Sequence, residues 1–260
     1  MAIHNCRWDV QGNTKACYSS RSGGNSLPPY DSFNIARHVG DVSETVAENR
    51  SILAAHFPNV NHWQWLEQVH GTEVLLIDKQ GMQQGDVEAD AIVCRVPGIA
   101  CCVMTADCLP IYFADRRGGE VAIAHAGWRG LAKGVIEHTV SLMHAAREDI
   151  TVYLGPAIGP CHFEVGAEVV EQFLNEPIGG IANQDVKNCF KAKAGAEKSN
   201  CAEDTKYLAN LYGLANLRLK AMGVRSISGG DDCTYCQPES FYSYRRDGFT
   251  GRMLSMIYFD

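Results

Sequence analysis

The sequence lacks basic blocks, long apolar runs and a secretion signal, and each absence excludes a class of protein. Its 260 residues carry a formal net charge of −7, with Lys and Arg dispersed along the chain. Nucleic acids and anionic membranes are bound by basic surfaces that displace counterions, so neither is an expected partner. No stretch approaches the roughly 18–20 apolar residues of a membrane span. The expected ligand is a small molecule.

The N-terminal segment contains Arg7 and Asp9 and has no apolar core typical of a signal peptide. Eleven cysteines are present, and Cys94, Cys101 and Cys102 lie inside apolar runs. Buried thiols of this kind behave as small hydrophobic side chains, unlike the disulfide framework of a short secreted domain. These features predict a cytoplasmic protein with reduced thiols.

Short apolar segments, separated by turn residues, predict buried strands that pair as antiparallel or mixed sheet. The predicted strands are Glu73–Asp78, Ala89–Arg95, Gly98–Met104, Pro110–Ala114, Val121–Ala124, Thr151–Leu154, Arg225–Ser228 and Met253–Phe259. Helical spacing predicts helices from Asp41 (with Glu44 in capping-box spacing), over Leu131–Ala146, and from Asp204 to Met222. The polar region 171–204 predicts a helix and a variable excursion. No linker is evident, so the sequence predicts one α/β domain over residues 1–260.

Three tight turns carry reactive side chains: His70 in QVHG, Cys108 in TADC and His125 in AHAGWRG. Strand ends and their loops are where rigid scaffolds present functional groups. Taken singly, each is more often a structural thiol or a core histidine. Together they form a donor set for a catalytic zinc with one open position. The same atoms also suit a cysteine nucleophile with a histidine base.

A second cysteine motif, Cys233-x-x-Cys236, lacks the other half of a structural zinc site in the nearby sequence. We therefore interpret these two cysteines as structural thiols. If Cys161 or His162 joined the His70, Cys108 and His125 set, four protein ligands would close that site. The chain would then be a structural-zinc binding protein.

Several motifs together resemble the YfiH-like family, also called multicopper polyphenol oxidase or laccase-domain proteins, whose members are described as purine nucleoside phosphorylases. The resemblance is carried by SFNIARHVGDVSETVAENR, QVHGTEV, DAIVCRVPGIACCVMTADCLPIYFAD, VAIAHAGWRG, LGPAIGPCHFEVG and SYRRDGFTGRM. It implies an α/β (α+β) fold with mixed sheets in an α/β/β/α layered arrangement. It also implies that His70, Cys108 and His125 hold a metal, expected to be zinc, with copper as the other candidate.

The activities that this resemblance implies are phosphorolysis of adenosine, inosine and methylthioadenosine, with accompanying adenosine deamination. Phosphorolysis requires an anion site, stabilisation of charge at the ribose and a proton donor to the leaving base. The candidates for phosphate are Arg50, Arg129 and Arg245 with Arg246, those for the nucleoside are Asn34 and His38, and those for proton transfer are Asp107 and Glu164. The oligomeric state is left open.

Two other enzyme classes remain as alternatives. Cys108 as nucleophile and His125 as base would make the chain an amidase, for example in cell-wall precursor editing. Copper-dependent phenol oxidation fits less well, because multicopper chemistry needs many histidine ligands. The nine histidines are scattered and form no HxH pair.

Overall fold

Two β-sheets packed face to face, with helices on both outer faces, organise the fold. The computed structural model describes residues 3–10, 12–78, 85–176, 179–193 and 205–260. In these ranges the strands are β1 Ile3–Asn5, β2 Thr14–Ser19, β3 His62–Gln64, β4 Leu66–Glu67, β5 Val74–Ile77, β6 Val87–Glu88, β7 Ala91–Cys94, β8 Ile99–Thr105, β9 Leu109–Asp115, β10 Val121–Ala126, β11 Ile150–Leu154, β12 Glu164–Val165, β13 Phe190–Ala192, β14 Tyr207–Ala209, β15 Ser226–Gly229 and β16 Met253–Phe259. The helices are α1 Ser43–His56, α2 Trp128–Lys133, α3 Val135–Leu142, α4 Ala167–Asn175, α5 Asn183–Asn188, α6 Leu211–Ala221 and α7 Tyr244–Asp247.

The larger sheet has the strand order β15-β11-β9-β10-β7-β5. Its central strands pair antiparallel, whereas β5 runs parallel to β7 and β15 runs parallel to β11. Apolar side chains of its outer face pack against α2, α3, α4 and α6. That contact includes Val93, Ile111, Leu131, Val140 and Leu214. The sheet is therefore covered by helices on one side.

The second sheet has the order β1-β2-β16-β8-β3 and lies against the uncovered face of the first. Ile92, Tyr112 and Ile123 of the larger sheet share one apolar cluster with Val103 and Ile257 of the smaller. Helix α1 covers the opposite face of the smaller sheet. The α/β/β/α arrangement with mixed sheets is thus confirmed.

The crossing between the sheets determines where the chemistry lies. Strand β8 belongs to the smaller sheet and β9, which follows it, belongs to the larger. The intervening turn, residues 106–108, therefore passes from one sheet to the other at their common edge. Two smaller sheets, β12-β14-β13 and β4-β6, lie outside this pair.

Two helix predictions need correction. The helix expected over Leu131–Ala146 is broken at Gly134, whose φ of 99° ends α2. Helix α3 then ends at Leu142. The helix expected from Asp204 begins instead at Leu211, where the Asn210 side chain accepts the N–H of Gly213, and the preceding residues form β14. Asp204 itself lies outside the described residues.

The capping box predicted at Asp41 does not form. Helix α1 begins at Ser43, after Val42, with no side-chain cap. The Asp41 carboxylate instead accepts hydrogen bonds from Ser26, Asn34 and the Val42 N–H, so local loop contacts compete with the cap.

In the polar region 171–204, α4 ends at Asn175 and is followed by α5 and β13. Residues 177–178 and 194–204, where the excursion was predicted, lie outside the described ranges. Among the helices that the structure describes, none has the length and apolar character to cross a bilayer.

Candidate metal centre and its cavity

His70, Cys108 and His125 converge at the common edge of the two sheets, and we call them the cavity cluster. His70 follows β4, Cys108 immediately precedes β9, and His125 lies near the end of β10. Their ligand atoms all lie within 4.8 Å of one another. Cys108 Sγ is 3.8 Å from His70 Nε2, and the two imidazole rings meet edge to face at 4.7 Å between centroids. Three donors from three separate segments therefore surround one point.

A buried carboxylate, Asp90, holds two of these donors in place. Its Oδ1 accepts a hydrogen bond from His125 Nδ1 at 2.7 Å, which leaves the other ring nitrogen of His125 for the contact with Cys108. The same carboxylate accepts the backbone N–H groups of Val69, His70 and Gly71. A histidine ligand backed by a carboxylate is typical of zinc sites, where it fixes the tautomer and orients the ring.

The protonation of the cluster follows from its burial and its internal charges. Burial opposes ionisation of Cys108, but neighbouring His125 and His70 outweigh it and lower the pKa of the Cys108 thiol to about 6. Burial likewise disfavours charged His125, yet Cys108 and Asp90 raise the pKa of that imidazole to about 9. For Asp90, burial is outweighed by the hydrogen bond from His125, which lowers the pKa of the carboxyl. Each member of this pair therefore favours the charged form of the other.

Backbone geometry singles out the same turns. Within the described residues, His70 and Asp107 are the non-glycine residues with positive φ, at 60° and 94°. The left-handed region costs such residues on the order of 1–3 kcal/mol and is concentrated at functional sites. Gly127 allows the close approach, because a Cβ there would lie 2.8 Å from His70 Cδ2 and 3.1 Å from Cys108 Sγ.

A cavity of about 420 Å³ opens onto the cluster. Its volume falls in the range of about 300–1,000 Å³ usual for small-molecule sites. Besides the three donors it is lined by His38, Gln68, Met104, Thr105, Ala106, Tyr244 and Arg252. The Gln68 amide is bonded on both sides to the Met104 backbone, which ties its loop to the end of β8.

Arg252 is the cation of this cavity. Its Nη1 donates to the carbonyls of Thr250 and Gly251, and the guanidinium faces the Tyr244 ring at 5.8 Å. Burial lowers the pKa of Arg252 from its ordinary value, while Cys108 and Asp107 act in the opposite direction. Sequence reasoning did not select Arg252, although it stands in the SYRRDGFTGRM motif directly before β16.

Of the residues predicted to bind the nucleoside, the structure brings one to the cavity. His38 lines it, and burial, followed by Arg252 and Arg50, lowers the pKa of its ring, which favours the neutral form. Asn34 is fully buried and bonds to the Ala36 backbone, Asp41 and the Arg252 N–H. Its surroundings do not support contact with substrate, because its amide is already bonded.

None of the four arginines predicted for phosphate lines the cavity. Arg246 donates to the carbonyls of Thr234 and Phe241. Arg50 stacks over Trp65 at 3.9 Å and donates to the Ile35 carbonyl. Arg129 lies against its neighbour Trp128 on the surface of α2. Arg245 donates through its side chain to the Glu164 carbonyl. Arg252, which also bonds to backbone carbonyls, is the arginine that lines the cavity.

The two candidates for proton transfer have other partners as well. Asp107 accepts the Thr234 hydroxyl at 2.6 Å and the Arg245 N–H at 2.7 Å, one on each oxygen. Glu164 is paired with Lys193, which lowers the pKa of its carboxyl. Asp107 is therefore placed to position the turn that carries Cys108.

A second group of donors, which we call the surface cluster, consists of Cys161, His162, Cys233 and Cys236. Their ligand atoms also lie within 4.8 Å of one another. The interpretation of the CxxC pair as lacking partners is wrong, because its partners come from the GPCH segment far upstream. Neither Cys161 nor His162 belongs to the cavity cluster. The hypothesis that one of them is a fourth ligand of that cluster is therefore not supported.

Sequence reasoning also missed Asp90, the residue that connects His125 to the His70 loop. The available signal was an acidic residue between Ala89 and Ala91, at the entry to a fully buried strand. A buried acid needs a partner, since an unpaired carboxylate in the interior is costly. That requirement points to a neighbouring histidine or a loop of N–H groups.

The sequence profile described as "Multi-copper polyphenol oxidoreductase laccase" matches residues 15–260. An Escherichia coli K12 protein named purine nucleoside phosphorylase YfiH is 48% identical over 97% of this chain and 96% of its own. A purine nucleoside phosphorylase of Haemophilus influenzae is 44% identical over 100% of both chains. A Neisseria meningitidis crystal structure superposes with a TM-score of 0.89 at 39% identity, covering 100% of both chains. YlmD of Geobacillus stearothermophilus gives a TM-score of 0.83 at 31% identity over 98% of each.

Proposed function

The chain belongs to the multi-copper polyphenol oxidoreductase laccase family, and from this premise we propose that it is a zinc-dependent purine nucleoside phosphorylase. Relatives named purine nucleoside phosphorylase match nearly the whole chain. The proposed substrates are adenosine, inosine and methylthioadenosine with phosphate, and the proposed compartment is the cytoplasm, where a thiolate ligand stays reduced.

The observation that carries the proposal is one cavity holding both an open donor set and a cation. The cavity cluster supplies two imidazole nitrogens and a thiolate, and the same cavity is lined by Arg252. Three protein ligands with a carboxylate behind one of them fit a catalytic zinc, which keeps one position open. When bound there, zinc supplies Lewis acidity to a group in the cavity.

Phosphorolysis joins a phosphate oxygen to the anomeric carbon of the ribose and breaks the bond to the purine nitrogen. The departing base takes that electron pair and a proton. We assign Arg252 to phosphate, because a guanidinium matches the paired oxygens of the anion. Neutral His38 can donate to or accept from a ribose hydroxyl. Met104 and Tyr244 also line the cavity, and we assign their apolar surface to the base.

Adenosine deamination is proposed as a side activity of the same site. A zinc site of His and Cys ligands is used for attack on purine C6 in nucleobase deaminases, which also carry a glutamate for proton transfer. Among the described residues lining this cavity there is no glutamate. We therefore expect deamination to be slow beside phosphorolysis.

The test is a product assay on the zinc-loaded protein with inosine and with adenosine. Phosphorolysis predicts free base and ribose 1-phosphate only when phosphate is present, in equal amounts. Release of base at the same rate without phosphate would contradict the proposal. Arg252→Met should raise the KM for phosphate, whereas Arg129→Met, a surface arginine outside the cavity, serves as the matched control.

One observation favours a second candidate, a cysteine amidase. The pKa of Cys108 is lowered to about 6 beside His125, and a thiolate–imidazolium pair is a ready nucleophile and acid. This reading predicts turnover of an amide, including one from a cell-wall precursor, without phosphate and with an acyl adduct on Cys108. Mass spectrometry of the intact protein after rapid quenching distinguishes it from phosphorolysis.

Copper-dependent phenol oxidation, the reaction in the family's name, has less support from the donors. The two Cys/His groups within the described residues contain three histidines in all, whereas multicopper chemistry relies on many histidine ligands. Zinc has no redox chemistry, so phenol oxidation by copper at this site should disappear when zinc replaces the copper. Oxidation that persists in the zinc-loaded protein would come from elsewhere.

A further inference from the structure

The surface cluster brings together four strong metal donors that the proposed activity does not use. Cys161 and His162 lie in the loop after β11, and Cys233 and Cys236 lie in the turn after β15. We propose that these four side chains form a second, structural zinc site. Three thiolates and one imidazole are a common ligand set of structural zinc, in which protein groups occupy all four positions.

The distances match a tetrahedron around one ion. Ligands bound to zinc at about 2.3 Å for sulfur and 2.0–2.1 Å for nitrogen lie roughly 3.4–3.8 Å apart. Cys161 Sγ is 3.3 Å from Cys236 Sγ and 4.0 Å from Cys233 Sγ. His162 Nδ1 is 3.1 Å from Cys161 Sγ and 3.3 Å from Cys236 Sγ. All four atoms therefore face the same small volume.

A metal accounts for this cluster better than a disulfide does. A disulfide would join two of the sulfurs at about 2.05 Å and leave the third sulfur and the ring nitrogen without a role. The observed sulfur separations of 3.3 and 4.0 Å have no bonded pair among them. Each thiol loses its proton to solvent on binding the ion, and no oxidant is required.

Contacts that do not involve a metal hold the two donor loops next to each other. The His162 ring stacks on Tyr235 at 4.0 Å with an interplanar angle of 14°, which orients the imidazole. Thr234 N–H donates to the Ala157 carbonyl at 3.0 Å, and Gly159 N–H donates to Cys233 Sγ at 3.2 Å. An N–H donor to a sulfur is suited to a thiolate, whose charge it stabilises.

The site also has a structural consequence for the cavity cluster. Thr234 lies between the two cysteines of the CxxC turn and is fully buried, and its hydroxyl donates to Asp107. Asp107 in turn precedes Cys108 and has φ of 94°. Clamping the CxxC turn to the GPCH loop therefore supports the strained turn that presents Cys108. Thr234 and Asp107 act as positioning residues in this scheme.

The first test is the zinc content of the purified full-length chain, measured by mass spectrometry of the elements. We expect two equivalents in the natural protein and one in each of Cys236→Ser and Cys108→Ala. The Cys189→Ser variant, which removes a thiol outside both clusters, should keep two. This measurement does not depend on the substrate, so it stands or falls separately from the proposed phosphorylase activity.

The second test uses cobalt in place of zinc, because thiolate-to-cobalt charge transfer reports the number of sulfur ligands. Cys236→Ser should remove most of the charge-transfer absorption and leave the contribution of Cys108, whereas Cys108→Ala should remove the smaller part. A single equivalent of zinc in the natural protein that persists in Cys236→Ser would overturn the proposal. So would a Cys161–Cys236 disulfide in protein isolated under reducing conditions.

Discussion

The cavity cluster has three donors with a buried carboxylate behind them, whereas the surface cluster has four donors close to solvent. Asp90 is fully buried and fixes His125, while Cys161, His162 and Cys236 are exposed. An open coordination position beside a cavity suits chemistry, and a filled set of ligands suits stability. The two clusters use the same residue types and differ in the number of donors and in the buried carboxylate behind one of them, which is why we propose different roles for them.

The largest expected effect that tests this contrast is the loss of Cys108. Cys108→Ala should lower phosphate-dependent release of base by at least about 10³-fold, equivalent to about 4 kcal/mol of transition-state stabilisation. The surface-cluster variant Cys236→Ser should lose far less activity at ambient temperature but more thermal stability. Steady-state kinetics and thermal unfolding check both. Equal losses of activity in the two variants would remove the distinction between the clusters.

A smaller effect is expected from the carboxylate behind the cavity cluster. Asp90→Asn replaces an acceptor that receives His125 Nδ1 and three backbone N–H groups, so its new NH₂ faces donors. Zinc affinity of the cavity cluster should fall by about 10- to 100-fold, in line with such outer partners elsewhere. Competition with a chelator measures this, with Asp185→Asn on the surface of α5 as the control. Unchanged affinity would show that Asp90 serves the fold alone.

The connection between the clusters predicts a still smaller effect at Thr234. Thr234→Val removes the 2.6 Å hydrogen bond to Asp107. If the hydrogen bond contributes roughly 1–2 kcal/mol to the catalytic position of the Cys108 turn, its loss corresponds to a decrease in kcat of about 5- to 30-fold. Zinc content should remain at two equivalents, and Thr234→Ser, which keeps the hydroxyl, should restore kcat. A change in KM with unchanged kcat, or no recovery of kcat in Thr234→Ser, would contradict a positioning role.

The smallest expected effect is on the number of protons that the cavity cluster releases when it binds a metal ion. Cys108, with a pKa of about 6, is a thiolate above that pH, and His125, with a pKa of about 9, holds its proton below that pH. Between these values metal must displace one proton from the pair, below pH 6 two, and above pH 9 none. Calorimetry in buffers of different ionisation enthalpy, with Cys236→Ser to silence the surface cluster, gives the number. Two protons from the pair at pH 7.5 would contradict the lowered pKa of Cys108.

The sequence predicted those elements that have strong local signals. Predominantly apolar segments such as Gly98–Met104 and Met253–Phe259 correspond to β8 and β16, since such a run fits a strand buried on both faces. Strands of two or three residues, such as β4 and β12, carry too little pattern to detect. Gly134 breaks a helix through its backbone conformation, which periodicity of apolar residues does not reveal.

For the candidate site, the three donors were predicted from their turns and from family resemblance, and the structure brings them together. Asp90 and Arg252 were missed, because their importance arises from tertiary contacts to segments distant along the chain. The surface cluster was missed for the same reason: its two halves, Cys161–His162 and Cys233–Cys236, are each ambiguous alone. Only folding, through the parallel pairing of β11 with β15, places them side by side.

One carboxylate, that of Asp90, grips both the loop of His70 and the ring of His125. The relative placement of these two donors therefore depends on a single side chain, whose four hydrogen bonds join both segments. The third donor, Cys108, lies on a turn held instead by the hydrogen bonds of Asp107 to Thr234 and Arg245. We therefore expect the position of the Cys108 sulfur to determine which metal ions, according to their radius, bind the cavity cluster best.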